Sequence, residues 1–173
     1  MEHDFSALGG AFAVADAANT ALLSVQNKAE SPYLIKINRV LLMSASLTAI
    51  TGVGIQVDVS RLTAVTETGG TAGQLTPMDS DVLNADAQIA TYVSVYTGAT
   101  TFTVGHVVAY RAVNNDEVSL TGQGDVVQRI LWTPAKGPLI IKPGQSAAII
   151  QRTASTAGAW IPQIDFTVQR VKG

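Results

Sequence analysis

Few side chains in this sequence could move a proton, hold a metal or attack a carbonyl. There are two histidines, His3 near the start and His106 inside an alternating run. A general base needs a nucleophile and an orienting carboxylate within reach. Neither histidine has them at local spacing. His106 therefore reads as a satisfied structural residue on the face it shares with Phe102, Val104, Val108 and Tyr110. Cysteine is absent, which removes a thiol nucleophile, a thiolate zinc site and a disulfide framework.

Asp79, Asp81 and Asp86, with Asn84, form a local acidic cluster. Calcium takes six to eight oxygens, so alternating carboxylates on a loop are worth testing. An EF-hand loop needs Gly at its sixth position and Glu at its twelfth. Counted from Asp79, those positions hold Asn84 and Ala90. Helix capping beside a solvated face explains the cluster better. Gly52-Val53-Gly54 lacks the third glycine of a dinucleotide site, and Gly69-Gly70-Thr71 lacks the Lys-Ser/Thr of a phosphate loop. Both read as turns.

Paired carboxylates for glycoside hydrolysis must face each other across a cleft. Glu2, Glu30, Glu67 and Glu117 all fall in expected turns or tails. Trp132 reads as core. Trp160, in Gly158-Ala159-Trp160-Ile161-Pro162, sits beside a turn and reads as a core or interface plug. The sequence therefore assigns no catalytic, cofactor-binding or metal-binding residue. The expectation is a protein that is not an enzyme and has no cofactor.

Elements that could position any site follow from composition and period. At 173 residues the chain is the size of one domain. It is 47% apolar before glycine is counted and only 14% charged, against a usual ~25% charged. That excludes intrinsic disorder, which needs low hydrophobicity and high charge. It also argues against a free monomer, whose surface would carry more charge. Net charge is −2, and basic residues such as Lys28, Lys36, Arg39, Arg61, Arg111 and Arg129 stand singly. Nucleic acid is not an expected partner, because it selects a basic stripe. Ala7–Ala18 resembles a leader core, but Glu2 and Asp4 give the wrong sign ahead of it. No apolar run reaches the ~18 residues of a membrane helix, so a membrane is not expected either.

Period-2 alternation dominates from residue 33 onward. Val53, Ile55, Val57 and Val59 share one face; Ile164, Phe166 and Val168 share another; Val126, Ile130 and Trp132 share a third. Within 33–43 the phase slips from Ile35 and Ile37 to Val40 and Leu42, as a β-bulge would make it. Eight strands are expected, over 33–48, 53–63, 89–97, 101–112, 125–133, 138–142, 146–153 and 163–171. One or two helical turns are expected within Asp81–Ala90. Thr97-Gly98, Pro143-Gly144 and similar pairs mark turns. The fold class is all-β, an antiparallel sandwich or barrel. Residues 31–173 form the domain. Residues 1–30 form an extended N-terminal arm or edge strands, with short pieces near 11–15 and 21–26. The long connection 64–88 is a candidate interface.

One order of motifs stands out. Arg61-Leu62-Thr63 leads to Thr68-Gly69-Gly70-Thr71 and Leu75-Thr76-Pro77-Met78-Asp79. Ile141-Lys142-Pro143-Gly144-Gln145-Ser146 and a closing strand Ile164–Val171 follow. Over residues 35–171 this order resembles small all-β virion proteins of tailed bacteriophages, head decoration (cement) proteins among them. The resemblance implies a jelly-roll or similar β-sandwich on the capsid surface, made in the host cytoplasm. It implies the major capsid protein and the chain's own copies, as a homotrimer, as partners. The alternatives are a tail- or neck-associated virion protein, or a receptor- or glycan-binding sandwich. The last would use exposed aromatics near Trp160, Tyr92 or Tyr96.

Overall fold

The alternating stretches do form strands, and the segment before residue 33 adds more. The computed structural model describes residues 2–9, 12–13, 18–44, 53–63, 70–78, 83–115, 128–154 and 159–171. In chain order the elements are β1 (Glu2–Leu8), β2 (Phe12–Ala13), β3 (Thr20–Asn27), β4 (Tyr33–Ser44), β5 (Val53–Leu62), β6 (Thr71–Ala72) and β7 (Gln74–Pro77). Then come α1 (Leu83–Tyr92), β8 (Val93–Thr97), β9 (Val104–Asn115), β10 (Gln128–Trp132), β11 (Leu139–Ile141), β12 (Gln145–Gln151) and β13 (Ala159–Arg170). They make an all-β sandwich of two antiparallel sheets. Sheet A runs β10-β4-β13-β1-β7, with β11 also on β4 and β2 on β13. Sheet B runs β6-β8-β3-β12-β5-β9.

Setting aside β2, β6, β7, β8 and β11, number the remaining strands β1, β3, β4, β5, β9, β10, β12 and β13 from first to eighth. Sheet A then holds the order sixth, third, eighth, first; sheet B holds second, seventh, fourth, fifth. Of the successive steps, only β5 to β9 stays in one sheet. The chain therefore repeatedly crosses the core, and both its first and last long strands end up inside sheet A.

Segment 1–30 is not an arm. β1 lies between β13 and β7, and β3 lies between β12 and β8. Neither is an edge strand. The sequence hides this because Ser24 and Gln26 alternate with Leu23 and Val25 as on a half-solvated edge strand, whereas β3 is buried on both faces from Thr20 to Asn27. The expected strand 89–97 is also corrected. Its first residues belong to α1, which ends at Tyr92. Lys28 holds that end: its N–H donates to the Tyr92 carbonyl (2.9 Å) and its ammonium to the Thr91 carbonyl (2.6 Å). A cation on the last carbonyls of a helix satisfies orphan acceptors and opposes the dipole.

The core lies between the sheets. Phe5 and Phe166 stack with ring centroids 5.8 Å apart. Trp160, Ile35, Ile37, Leu42, Val57, Ile149 and Ile164 pack around them. The bulge expected in 33–43 is present. Asp165 pairs with Arg39 and Phe166 with Ile37, leaving Asn38 as the extra residue. A second bulge overturns an expected face: Ile130 pairs with Leu41 and Trp132 with Val40, leaving Leu131 as the extra residue. Leu131 is therefore buried and Ile130 is 57% exposed. Val126 lies outside the described residues. The turns at Gly98 and Gly144 form as expected, with φ of 72° and 80°. Gly54, expected in a turn, lies inside β5.

Two contacts join the layers. The Asn27 amide donates to the carbonyls of Tyr33 (2.9 Å) and Ile141 (3.2 Å), tying β3 to β4 and β11. Gly73 lets the chain pass from β6 in sheet B to β7 in sheet A. Its N–H donates to the Val95 carbonyl at 2.8 Å, and a Cβ there would sit 2.7 Å from Val95 Cγ1.

Trp160 is 1% exposed, so Trp160→Ala should cost about 3–5 kcal/mol, the usual loss for a deleted core aromatic. Urea denaturation of the variant measures it. A loss below about 1 kcal/mol would mean that Trp160 is not a core residue.

Candidate functional site

Each sheet has an outer face, and the two differ. On sheet A the polar positions of β1, β4 and β13 meet in one hydrogen-bonded strip. Asp165 is its hub. Its carboxylate accepts from Ser6 Oγ (2.8 Å), Gln163 Nε2 (2.7 Å) and Arg39 Nε (2.8 Å), with Arg39 Nη2 at 2.7 Å. Asn38, the bulged residue, donates to Thr167 Oγ1 at 2.8 Å, and Thr167 donates to Asp4. Lys36 pairs with Glu2 at 2.6 Å. Burial pushes the Asp165 carboxyl up, but the hydrogen bonds from Gln163, Arg39 and Ser6 outweigh it and hold the group below the usual carboxylate range. The Lys36 hydrogen bond and charge lower Glu2 similarly.

A groove of about 580 Å³ opens where the chain crosses from β6 in sheet B to β7 in sheet A, lined by Leu8, Gly9, Met43, Gln74 and Ile161 on one side and Ala72, Gly73 and Thr97 on the other. Its wall is mostly hydrocarbon and backbone.

Sheet B closes its own outer face. Residues 98–103 link β8, near one edge, to β9 at the other. Phe102 and Val104 pack on a second apolar cluster of Ala21, Leu62, Ala99, Ala148 and Ile150. Ala21 N–H donates to the Ala99 carbonyl (2.8 Å), and Thr63 N–H to the Thr103 carbonyl (3.2 Å). Beside this cluster Asp58 is fully buried. It accepts from Ser60 Oγ (2.7 Å) and pairs with Arg152. Arg152 also donates to Asn19 Oδ1 at 3.0 Å, and Asn19 adopts φ 60°. Asp58 thus ties β5 to the segments flanking β3 and β12.

The expected candidate residues are not brought together. His106 is exposed on β9, opposite Arg61. It is a surface residue facing a cation across the ladder, not the satisfied structural histidine expected. His3 is half-buried on β1. Glu2, expected in a tail, lies in β1. Glu67, Glu117, Asp79 and Asp81 lie outside the described residues, as does the side chain of Asp86. No group of three metal-ligating side chains occurs among the described residues. Trp160 is buried, so no aromatic platform forms there. Tyr92 is half-buried and tilts against Tyr33, with centroids 6.0 Å apart. No described helix is long and apolar enough to cross a membrane.

Sequence reasoning missed Asp165 and Asp58 as hubs. Both sit at ordinary polar positions of an alternation, and their partners are distant in sequence. Ser6 and Asp165 are 159 residues apart, and Asp58 and Arg152 are 94 apart.

Comparison of the chain with protein-family models, with curated proteins and with solved structures finds no match.

Two predictions follow from the hubs. Arg152→Ala should cost about 3–5 kcal/mol in urea, because it leaves the buried Asp58 carboxylate without its cation. Asp58→Asn should cost clearly less, since it removes the charge as well. Equal losses would refute a charge-pairing role. The second concerns acid. The Asp165 pKa is lower folded than its unfolded value of 3.8. Its contribution is therefore complete above that value and disappears as pH falls through the folded pKa. The urea midpoint should drop below pH 4 more steeply in the parent chain than in Asp165→Asn. Parallel curves would show that Asp165 does not contribute.

Proposed function

We propose that this chain is a structural protein of a tailed-phage particle: a jelly-roll subunit that decorates the capsid by docking on the major capsid lattice. The observation that carries the reading is the strand order, sixth-third-eighth-first against second-seventh-fourth-fifth. Two interleaved Greek keys of eight strands produce that order, and jelly rolls of this kind build viral capsid domains.

The surface chemistry supports the same reading. Of the cations in the described residues, Lys36, Arg39 and Arg152 are paired with the chain's own carboxylates, and Lys28 caps a helix. The chain is only 14% charged, and its surface carries an apolar groove and exposed Met78 and Ile130. A surface of this kind suits a subunit that buries area against many copies of a lattice, where repeated weak contacts add through avidity. The order of motifs over residues 35–171 points the same way by resemblance. A glycan-binding module fits less well, since its expected platform at Trp160 is buried.

The test is direct. Particles from a lysate of the bacterium carrying the gene are banded by density, separated into heads and tails, and probed with antibody raised against this chain. The chain should band with heads in many copies per particle. Recovery only on tails would move it to the neck or tail. Recovery only from the soluble fraction would overturn the particle reading.

A further inference from the structure

The link between β8 and β9 is held differently from the strands it joins. Residues 98–103 leave one side of sheet B, cross its outer face and enter β9 on the other side. Among the described residues, two backbone hydrogen bonds pin this strap, one at each end. Ala21 N–H donates to the Ala99 carbonyl, where the two residues form an isolated bridge, and Thr63 N–H donates to the Thr103 carbonyl. Between the pins, half-buried Phe102 rests on Ala21, Leu62, Ala148 and Ile150. Alanine brings little apolar area to such a contact, so Phe102 is the main apolar anchor of the strap.

The floor beneath is partly polar. Ser146 stands beside Leu62 in the ladder, and Gln26 stands beside Ser146. Both are buried on the face that also carries Ala148 and Ile150. Ser146 Oγ and Gln26 Nε2 have no hydrogen-bond partner among the described residues. Buried polar groups without partners destabilise the closed arrangement, and water relieves them when the cover lifts. The strap also has a glycine at each end. Gly98 adopts φ 72°. Gly105 is the extra residue of a bulge between Val104 and His106, and a Cβ there would collide with Thr63 Cγ2. Hinged segments absorb their backbone change at a few such terminal positions.

We propose that residues 99–103 open as one unit, hinged at Gly98 and Gly105, at a lower free energy than global unfolding. The strands below stay paired, because β12 keeps β3 on one side and β5 on the other, and the main core lies on the opposite face of the sheet. Opening uncovers Ala21, Leu62, Ala148 and Ile150, an apolar patch that the closed chain hides. Segments with few buried contacts open locally in this way. The inference stands apart from the phage reading, since the strap opens or stays shut wherever the chain works.

Amide hydrogen exchange of the full chain in low urea reads the opening at two places. The Ala21 and Thr63 amides lie on different strands and donate to opposite ends of the strap. Both should exchange about tenfold or more faster than the Ala147 amide inside β12, and with a weaker urea dependence. Phe102→Ala should speed both by a common factor of about tenfold. Ser146→Ala removes an unpartnered hydroxyl from the closed state and should slow both. The chain has no cysteine, so Ala21→Cys with Ala99→Cys gives one defined crosslink between antiparallel neighbours. Oxidising it should slow the Thr63 amide at the far end, and reduction should restore the rate. Exchange of Ala21 and Thr63 with the urea dependence of Ala147 would overturn the proposal. So would a Phe102→Ala effect confined to one end, or a crosslink that leaves Thr63 unchanged. If Phe102→Ala does not fold, the urea dependence of the parent chain and the crosslink decide.

Discussion

The strand on which the rest depends is β13. It is the last of the described strands and lies between β4 and β1 in sheet A. Its inward side chains, Trp160, Ile164, Phe166 and Val168, supply much of the core. Its outward ones, Gln163, Asp165 and Thr167, anchor the polar strip. A one-residue slip of β13 would exchange the two sets. It would expose Phe166 and bury the Asp165 carboxylate without Ser6 and Arg39. Both consequences are unfavourable, so the alternation itself specifies the register. The bulge at Asn38 keeps the pairing with β4 consistent on both sides. It lets Ile37 and Val40 both face inward while Asn38 reaches Thr167.

This arrangement explains what was legible in the sequence. The strands that alternate cleanly were readable, and so was the Asn38 bulge, because the phase slip survives in the apolar pattern. β1 and β3 were not. β3 is buried on both faces, so its polar Ser24 and Gln26, which alternate with Leu23 and Val25 as on a solvated strand, are inside instead. The Ile130–Leu131 inversion was hidden for another reason: three residues do not reveal a bulge. The end of α1 was set by Lys28, more than sixty residues away. The polar hubs depend on the same long-range closure. Arg39 appeared as one isolated cation among several, and its role comes only from the strand that β4 happens to pair with.

The low charge of the chain takes on a different meaning once those partners are known. Composition alone pointed to a surface hidden in an assembly. The structure adds that the ion pairs described here bridge separate strands and segments. Lys36–Glu2 joins β4 to β1, Arg39–Asp165 joins β4 to β13, and Arg152–Asp58 joins the end of β12 to β5. Exposed pairs of this kind contribute little each. Asp58 is the exception, because its carboxylate is wholly buried and cannot turn to water for a substitute.

The chain order also sets how this fold is reached. β1 can complete its pairing only after β13 has been synthesised, and eight of the twelve steps between successive described strands cross between the sheets. Folds dominated by such distant contacts form slowly, because loop closure must be achieved before the contacts return any stabilisation. During that time sheet edges are open to other chains. Short edge strands and prolines at β6, β7, β10 and β11 limit that exposure on three sides. The bulges at Gly105 and Val108 limit it on half of the fourth, β9. From Ala109 to Asn115 the pairing with β5 is regular. There a side chain takes over the protection: Arg111 Nη1 donates to the Tyr110 carbonyl at 3.0 Å and satisfies one acceptor of the strand, and a charged side chain at an edge discourages further pairing.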